Sequence, residues 1–219
     1  MPSPSRLPSR TLSARRPTPT FPGSSIRIDP MTEVVKIVVE PLSPETFAPF
    51  GEVVGPTTAE TVSLGHDVQL WRNAFGVDGG IELMFGRYLH KPMRFHRMER
   101  HLAVTQSFLP LDGCRSVMVV APPSDGPDSG DVPSPGGVRA FHLDGSRGVM
   151  LWRGTWHALD RFPVSPPHAD FAFLTGRDTQ AELERQATDG TPPQLTHLVD
   201  FRERMGVEFQ VCDPRGLLG

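Results

Sequence analysis

The stretch Arg94–Gly113, RFHRMERHLAVTQSFLPLDG, carries the pattern Glu99-x-His101-x4-Gln106-x6-Gly113. A second fragment further along, Trp152-x-Gly154-x2-His157, belongs with it. In a strand, residues i and i+2 point to the same face. On that period Phe95, Arg97, Glu99 and His101 share one face, and His96, Met98 and Arg100 share the other. Gln106 lies beyond a short turn and can return to the Glu99 side. A carboxylate and an imidazole side by side on an inward face can hold a metal or move a proton. The same run also reads as a solvated, charge-rich edge strand, because a short motif alone is weak.

Working outward, the chain after Met31 is rich in short strand-like runs separated by turn residues. They are Val34–Val39, Gly51–Val54, Gln69–Phe75, Ile81–Tyr88, Met93–His101 and Thr105–Pro110. Arg115–Val120, Val138–Leu143, Gly148–Leu151, His157–Arg161 and Asp170–Thr175 follow. Many short strands with Gly/Pro turns mean a sandwich or barrel. The expected fold is therefore mainly all-β, a barrel or jelly roll with one or two short helices. One helix is expected over Thr179–Ala187, where Thr179-x-x-Glu182 reads as a capping box. Residues 122–137, PPSDGPDSGDVPSPGG, read as a long polar surface loop, with a lid as the alternative.

At 219 residues the chain reads as one domain, residues 31–219, with a C-terminal appendage from about residue 177. Residues 1–30 are rich in Pro, Ser and Arg and nearly free of acid, so they read as a disordered, dispensable extension. Net charge is −3, which implies no nucleic-acid partner. No apolar run approaches the roughly 20 residues of a membrane helix. Two cysteines, Cys114 and Cys212, make neither a disulfide framework nor a zinc site and point to a reducing, cytoplasmic setting.

The two opening fragments resemble the halves of the cupin pattern, His-x-His-x4-Glu-x6-Gly and Pro-x-Gly-x2-His. Spacing fits both halves; one His has become Glu99 and one Glu has become Gln106. By position in that pattern, Glu99, His101, Gln106 and His157 are the candidate metal ligands. Nickel, manganese or zinc is the expected ion, held more weakly than by the usual donor set because an amide oxygen replaces a carboxylate. No organic cofactor is expected.

Longer blocks resemble the ureidoglycolate lyase family. They are PLSPETFAPFGEVV (Pro41–Val54), MERH (Met98–His101), TQSFLPL (Thr105–Leu111), VRAF (Val138–Phe141) and GTWHA (Gly154–Ala158), in the family's order. The resemblance implies a cupin-like barrel, a homodimer, and cleavage of ureidoglycolate to glyoxylate and urea in purine breakdown through allantoin. Leu151 and Leu159 depart from the family's expected tyrosine and proline and bear on the pocket rim. The alternatives are another metal-dependent cupin enzyme acting on a small hydroxy or keto acid, and a non-catalytic small-acid-binding cupin.

Ureidoglycolate carries a hydroxyl, a urea nitrogen and a carboxylate on one carbon. Its cleavage needs a base for the hydroxyl, an acid for the departing nitrogen and a cation for the carboxylate. Glu99, His101 and His157 are the candidates for the proton transfers, since burial moves such groups toward neutrality. Arg139 and Arg97 are the candidate carboxylate clamps, because guanidinium binds carboxylate through two parallel hydrogen bonds. Gln106 and Trp156 complete the expected substrate contacts; each also has an ordinary packing role open to it.

Overall fold

The structure is a computed structural model that describes residues 32–58, 61–63, 65–124 and 130–219. The expectation of a disordered, dispensable N-terminal extension lies outside the described residues, as does part of the 122–137 loop. In chain order the elements are β1 (Glu33–Pro41), α1 (Pro44–Phe47), β2 (Gly51–Val54), β3 (Val62–Ser63), β4 (Gln69–Leu70), β5 (Ile81–Leu89), β6 (Arg94–Phe95), β7 (Arg97–His101), β8 (Gln106–Pro110) and β9 (Ser116–Ala121). They continue with β10 (Arg139–Leu143), β11 (Gly148–Leu151), β12 (Trp156–Pro163), β13 (His168–Gly176), α2 (Arg177–Asp189), β14 (Thr196–Asp200), α3 (Phe201–Met205) and β15 (Val207–Cys212).

Among the described residues the strands form an eight-stranded sheet, β14-β7-β12-β9-β10-β1-β15-β6, and a five-stranded sheet, β2-β11-β8-β13-β5. This is the mainly β architecture expected from the sequence, built on two large sheets. β9, SVMVVA, explains why a continuous apolar run sits in the middle of the large sheet. Its Met118 and Val120 face the small sheet, among Phe47, Phe50, Phe108, Phe141, Leu151 and Phe171. Its Val117, Val119 and Ala121 face the opposite way, among Met98, Trp156, Phe162, Phe201 and Phe209. A strand covered on both faces has no need of polar alternation.

The residues from about 177 onward are not an appendage on the outside of the barrel. β14 pairs with β7 along Thr196–Asp200, and β15 pairs in parallel with β1. Both lie within the large sheet, where Val199, Phe201, Val207 and Phe209 complete the outer core. The capping box expected at Thr179 does not form. α2 begins two residues earlier, with Gly176 as its N-cap. Glu182 turns instead to accept hydrogen bonds from the backbone N–H groups of Gln194 and Leu195, tying the helix to the turn before β14.

Phe95 also departs from the simple alternation. It packs with Met98 in the outer core, on the far side from Glu99. The strand is interrupted at His96, whose carbonyl accepts the N–H of Phe201, and the period restarts at Arg97.

Candidate active site

Three neighbouring strands aim side chains at one place. β7 carries Glu99 and His101 on one face. β12 runs antiparallel beside it and sets His157 opposite Glu99. β8, from the small sheet, carries Gln106 and Phe108. Ligand atoms of Glu99, His101 and His157 all lie within 4.8 Å of one another. Glu99 Oε1 stands between the rings, 3.8 Å from His101 Nε2 and 4.0 Å from His157 Nδ1. The two imidazoles are 3% and 2% exposed, against 16% for Glu99, so the carboxylate is the group nearest water.

The contacts behind these groups fix their orientation. His101 Nδ1 is 2.9 Å from the hydroxyl of Thr196, supplied by the neighbouring β14. His157 Nδ1 is 3.1 Å from the Ala158 carbonyl. Gln106 donates its amide N–H to Thr175 Oγ1 at 3.4 Å, and its Oε1 is buried without a partner. Among the described residues, six buried side-chain atoms have no hydrogen-bond partner. Four of them belong here: His101 Nε2, Gln106 Oε1, His157 Nε2 and Arg161 Nε. An unpaired buried polar atom costs about 1–3 kcal/mol. Four in one place mark a site built for a polar ligand rather than for stability.

Arg161 is the residue that the sequence reading missed. It lies on β12 beyond a bulge: between His157↔Val120 and Arg161↔Met118, three residues of β12 face one of β9. The extra residues, around Leu159 and Asp160, are pushed to the outer side, where they line a surface groove. His157 and Arg161 thereby stay on the inward face beside Val120 and Met118. The signal was present, since residues four apart on a strand share a face.

Burial dominates the electrostatics. It raises the proton affinity of Glu99, partly opposed by the charge of Arg161. It pulls His101 down to about 4, and the Arg161 charge acts in the same direction. His157 is held well below the ordinary histidine value by burial, then by Arg161 and His101. Both imidazoles are therefore neutral at pH 7, while Glu99 has an enhanced appetite for a proton.

The remaining expected contacts are not brought together. Arg139 lies on β10, two strands from His157, but its guanidinium is held by both carboxylate oxygens of Glu40. Arg97 is exposed and lines a surface groove with Lys91, Arg94 and Asp160. Trp156 points to the opposite face of β12 from His157; it packs in the outer core and donates its indole N–H to Ser124 Oγ at 2.7 Å. Its place in the alternation sends it there. Leu151 is buried in the inner core, and Leu159 sits in the outer groove, so neither forms a shared rim.

The donor set fits a divalent ion in kind: one carboxylate, two neutral imidazoles whose Nε2 atoms lack partners, and an amide oxygen. The buried Arg161 cation nearby opposes a second positive charge and weakens such binding.

A buried carboxylate between two neutral imidazoles, inside a mainly β fold, is the kind of constellation that acid–base enzymes use. The comparisons sharpen that class. Residues 34–193 match the family model described as ureidoglycolate lyase. A ureidoglycolate lyase of Pseudomonas aeruginosa (strain LESB58) is 37% identical over 127 residues, covering 54% of this chain and 72% of that protein. One from Azotobacter vinelandii is 35% identical over 167 residues, covering 67% of this chain and 96% of that protein. The chain belongs to the ureidoglycolate lyase family. Among solved structures, RmlC from Streptococcus suis in complex with dTDP-D-xylose matches with a TM-score of 0.26 and 11% identity over 43% of this chain and 42% of that one, a likeness that carries no argument about substrate or mechanism.

Proposed function

We propose that this protein is a ureidoglycolate lyase that splits ureidoglycolate into glyoxylate and urea, with Glu99, His101 and His157 as the reacting groups. The observation that carries this is the convergence of those three side chains in a chain of this family. The hydroxyl proton leaves, the O–H electron pair closes the carbonyl, the C–N bond breaks, and the urea nitrogen takes a proton. The net proton change is zero. Glu99, between the rings and with raised proton affinity, is the group placed to take the proton from oxygen and deliver it to nitrogen. The neutral imidazoles flank that carboxylate, His101 with Nε2 and His157 with Nδ1, and orient the hydroxyl and the urea group.

Glu99, His101, His157 and Gln106 are the residues that would hold nickel, manganese or zinc. When bound, such an ion supplies a Lewis acid that makes the hydroxyl easier to ionise. Incubation with racemic ureidoglycolate, following urea and glyoxylate, tests the activity; product no faster than the uncatalysed rate refutes it. A chelator in the same assay is expected to lower the rate only partly, because Glu99 carries the proton transfer and the imidazoles orient the substrate; complete loss, restored by one metal, would assign the chemistry to the ion. Neither a dioxygen-consuming cupin nor a silent acid-binding barrel is favoured by the family match. The placing in purine and allantoin breakdown, and in the cytoplasm, is part of the same proposal; no helix among the described residues is long and apolar enough to cross a membrane.

The homodimer is proposed through β5. This strand ends the small sheet, and Ile81, Leu83, Phe85 and Leu89 on one of its faces are 50%, 69%, 60% and 67% exposed. An apolar stripe on an open sheet edge is a surface that proteins cover. Light scattering at micromolar concentration is expected to give twice the chain mass, and L83E/F85E to give the monomer. A monomeric wild type would contradict the dimer.

A further inference from the structure

We infer that Arg161 is the anchor for the substrate's carboxylate, and so the residue that confines this site to small α-hydroxy acids in their anionic form. This rests on the lyase reading above, because that reading supplies the substrate.

The first observation is hydrogen-bond accounting. A guanidinium has five N–H donors. Nη1 donates to the carbonyls of Ala158 at 2.6 Å and Asp160 at 3.1 Å. Nη2 lies 3.3 Å from His157 Nδ1. Nε is buried and unpaired. The Nε/Nη2 edge is the side of the fork that takes a carboxylate through two parallel bonds. Arg87 uses that edge on Asp170 elsewhere in this protein, at 2.8 Å for both bonds. In Arg161 the same edge keeps an unused donor beside the reacting groups.

The second observation is rigidity. The guanidinium carbon lies 3.9 Å from the centre of the Phe108 ring and 5.8 Å from that of Tyr88. With the two carbonyls behind it, the plane is held on both a face and an edge. A clamp held this way loses little freedom when a ligand binds.

The third observation is charge. Glu99 already places a carboxylate in this low-dielectric pocket, so a second carboxylate needs a cation to enter. Three other arginines on or near these strands lie elsewhere. Arg139 is paired with Glu40, Arg97 is on the surface, and Arg100 faces away toward Trp156 and His197. Arg161 is fully inside, and its charge acts on Glu99, His101 and His157 alike. Anchored there, the substrate's carbon sits beside His157, the residue that Arg161 itself touches.

The test compares glycolate with its uncharged amide, glycolamide, by calorimetric binding to wild type, R161M and R161K. Wild type is expected to bind glycolate at least about 10-fold more tightly than glycolamide, the scale of a two-bond charged contact. R161M is expected to lose that preference, and its KM for ureidoglycolate to rise by about 10-fold or more with a smaller change in kcat. R161K, which keeps the charge without the fork, is expected to fall between. Equal binding of acid and amide by wild type overturns the anchor, and so does an unchanged preference in folded R161M or, should R161M not fold, in R161K. A wild type that releases no urea yet shows the Arg161-dependent preference refutes the lyase reading and leaves the anchor standing.

Discussion

His101→Ala and His157→Ala are each expected to lower turnover of ureidoglycolate by about 100-fold or more, the scale on which losing the orientation of a reacting group costs rate. His101 turns an unpaired Nε2 toward Glu99 while Thr196 engages its Nδ1; His157 turns its Nδ1 toward Glu99 and Arg161, with the Ala158 carbonyl also beside that atom. Alanine removes the presented atom, and no neighbouring side chain replaces it. The strands themselves lose no ladder bond, so the folded circular dichroism spectrum is expected to persist. Glu99→Gln keeps the shape and removes the basic group, and its turnover is expected to fall by a similar factor. Rates are read as urea released at saturating substrate. A folded His101 or His157 variant that retained a tenth or more of the wild-type rate would remove that imidazole from the chemistry.

Gly51→Ala is expected to destabilise the fold by about 3 kcal/mol or more, the upper range for overpacking a well-packed contact. Gly51 opens β2 and lies against Leu151 of β11. A Cβ there would stand 1.9 Å from the carbonyl oxygen of Met150 and 2.9 Å from its carbonyl carbon. Both are backbone atoms of the paired strand, so no side chain can swing aside. The strands must part, and β11 in turn carries the ladder to Gln106 through Leu151. Activity is therefore expected to fall together with stability. Urea denaturation reads the effect directly; a loss below about 1 kcal/mol, that of an average substitution, would show that the strands can shift cheaply.

Much of this architecture is legible in local pattern. Gly51–Val54 and Gly148–Leu151 form strands with the bounds that the turn residues suggest. The alternation in Arg97–His101 places Glu99 and His101 on one face, and the spacing Gly154-x2-His157 brings the third group to them. Val207–Cys212 alternates apolar and polar as plainly, yet its neighbour β1 lies at the other end of the chain. Pairing over that distance leaves no local mark, so the sequence reading left the segment in an appendage and did not place it in the large sheet.

Longer sequence blocks carried the resemblance to the family. Residue types and their spacing put forward by themselves the mainly β class and the trio Glu99, His101 and His157 as site candidates. These follow from periods of two and from motif spacing, which act within a few residues. Only the tertiary structure decided which arginine shares the pocket. Arg139 and Arg97 have the right chemistry, but Glu40 pairs with the first and β7 leaves the second at the surface. Arg161 reaches the site because a bulge in β12 expels Leu159 and Asp160 and keeps His157 and Arg161 facing inward. A bulge is set by the register of two strands against each other, and register is a property of the assembled sheet rather than of either strand alone.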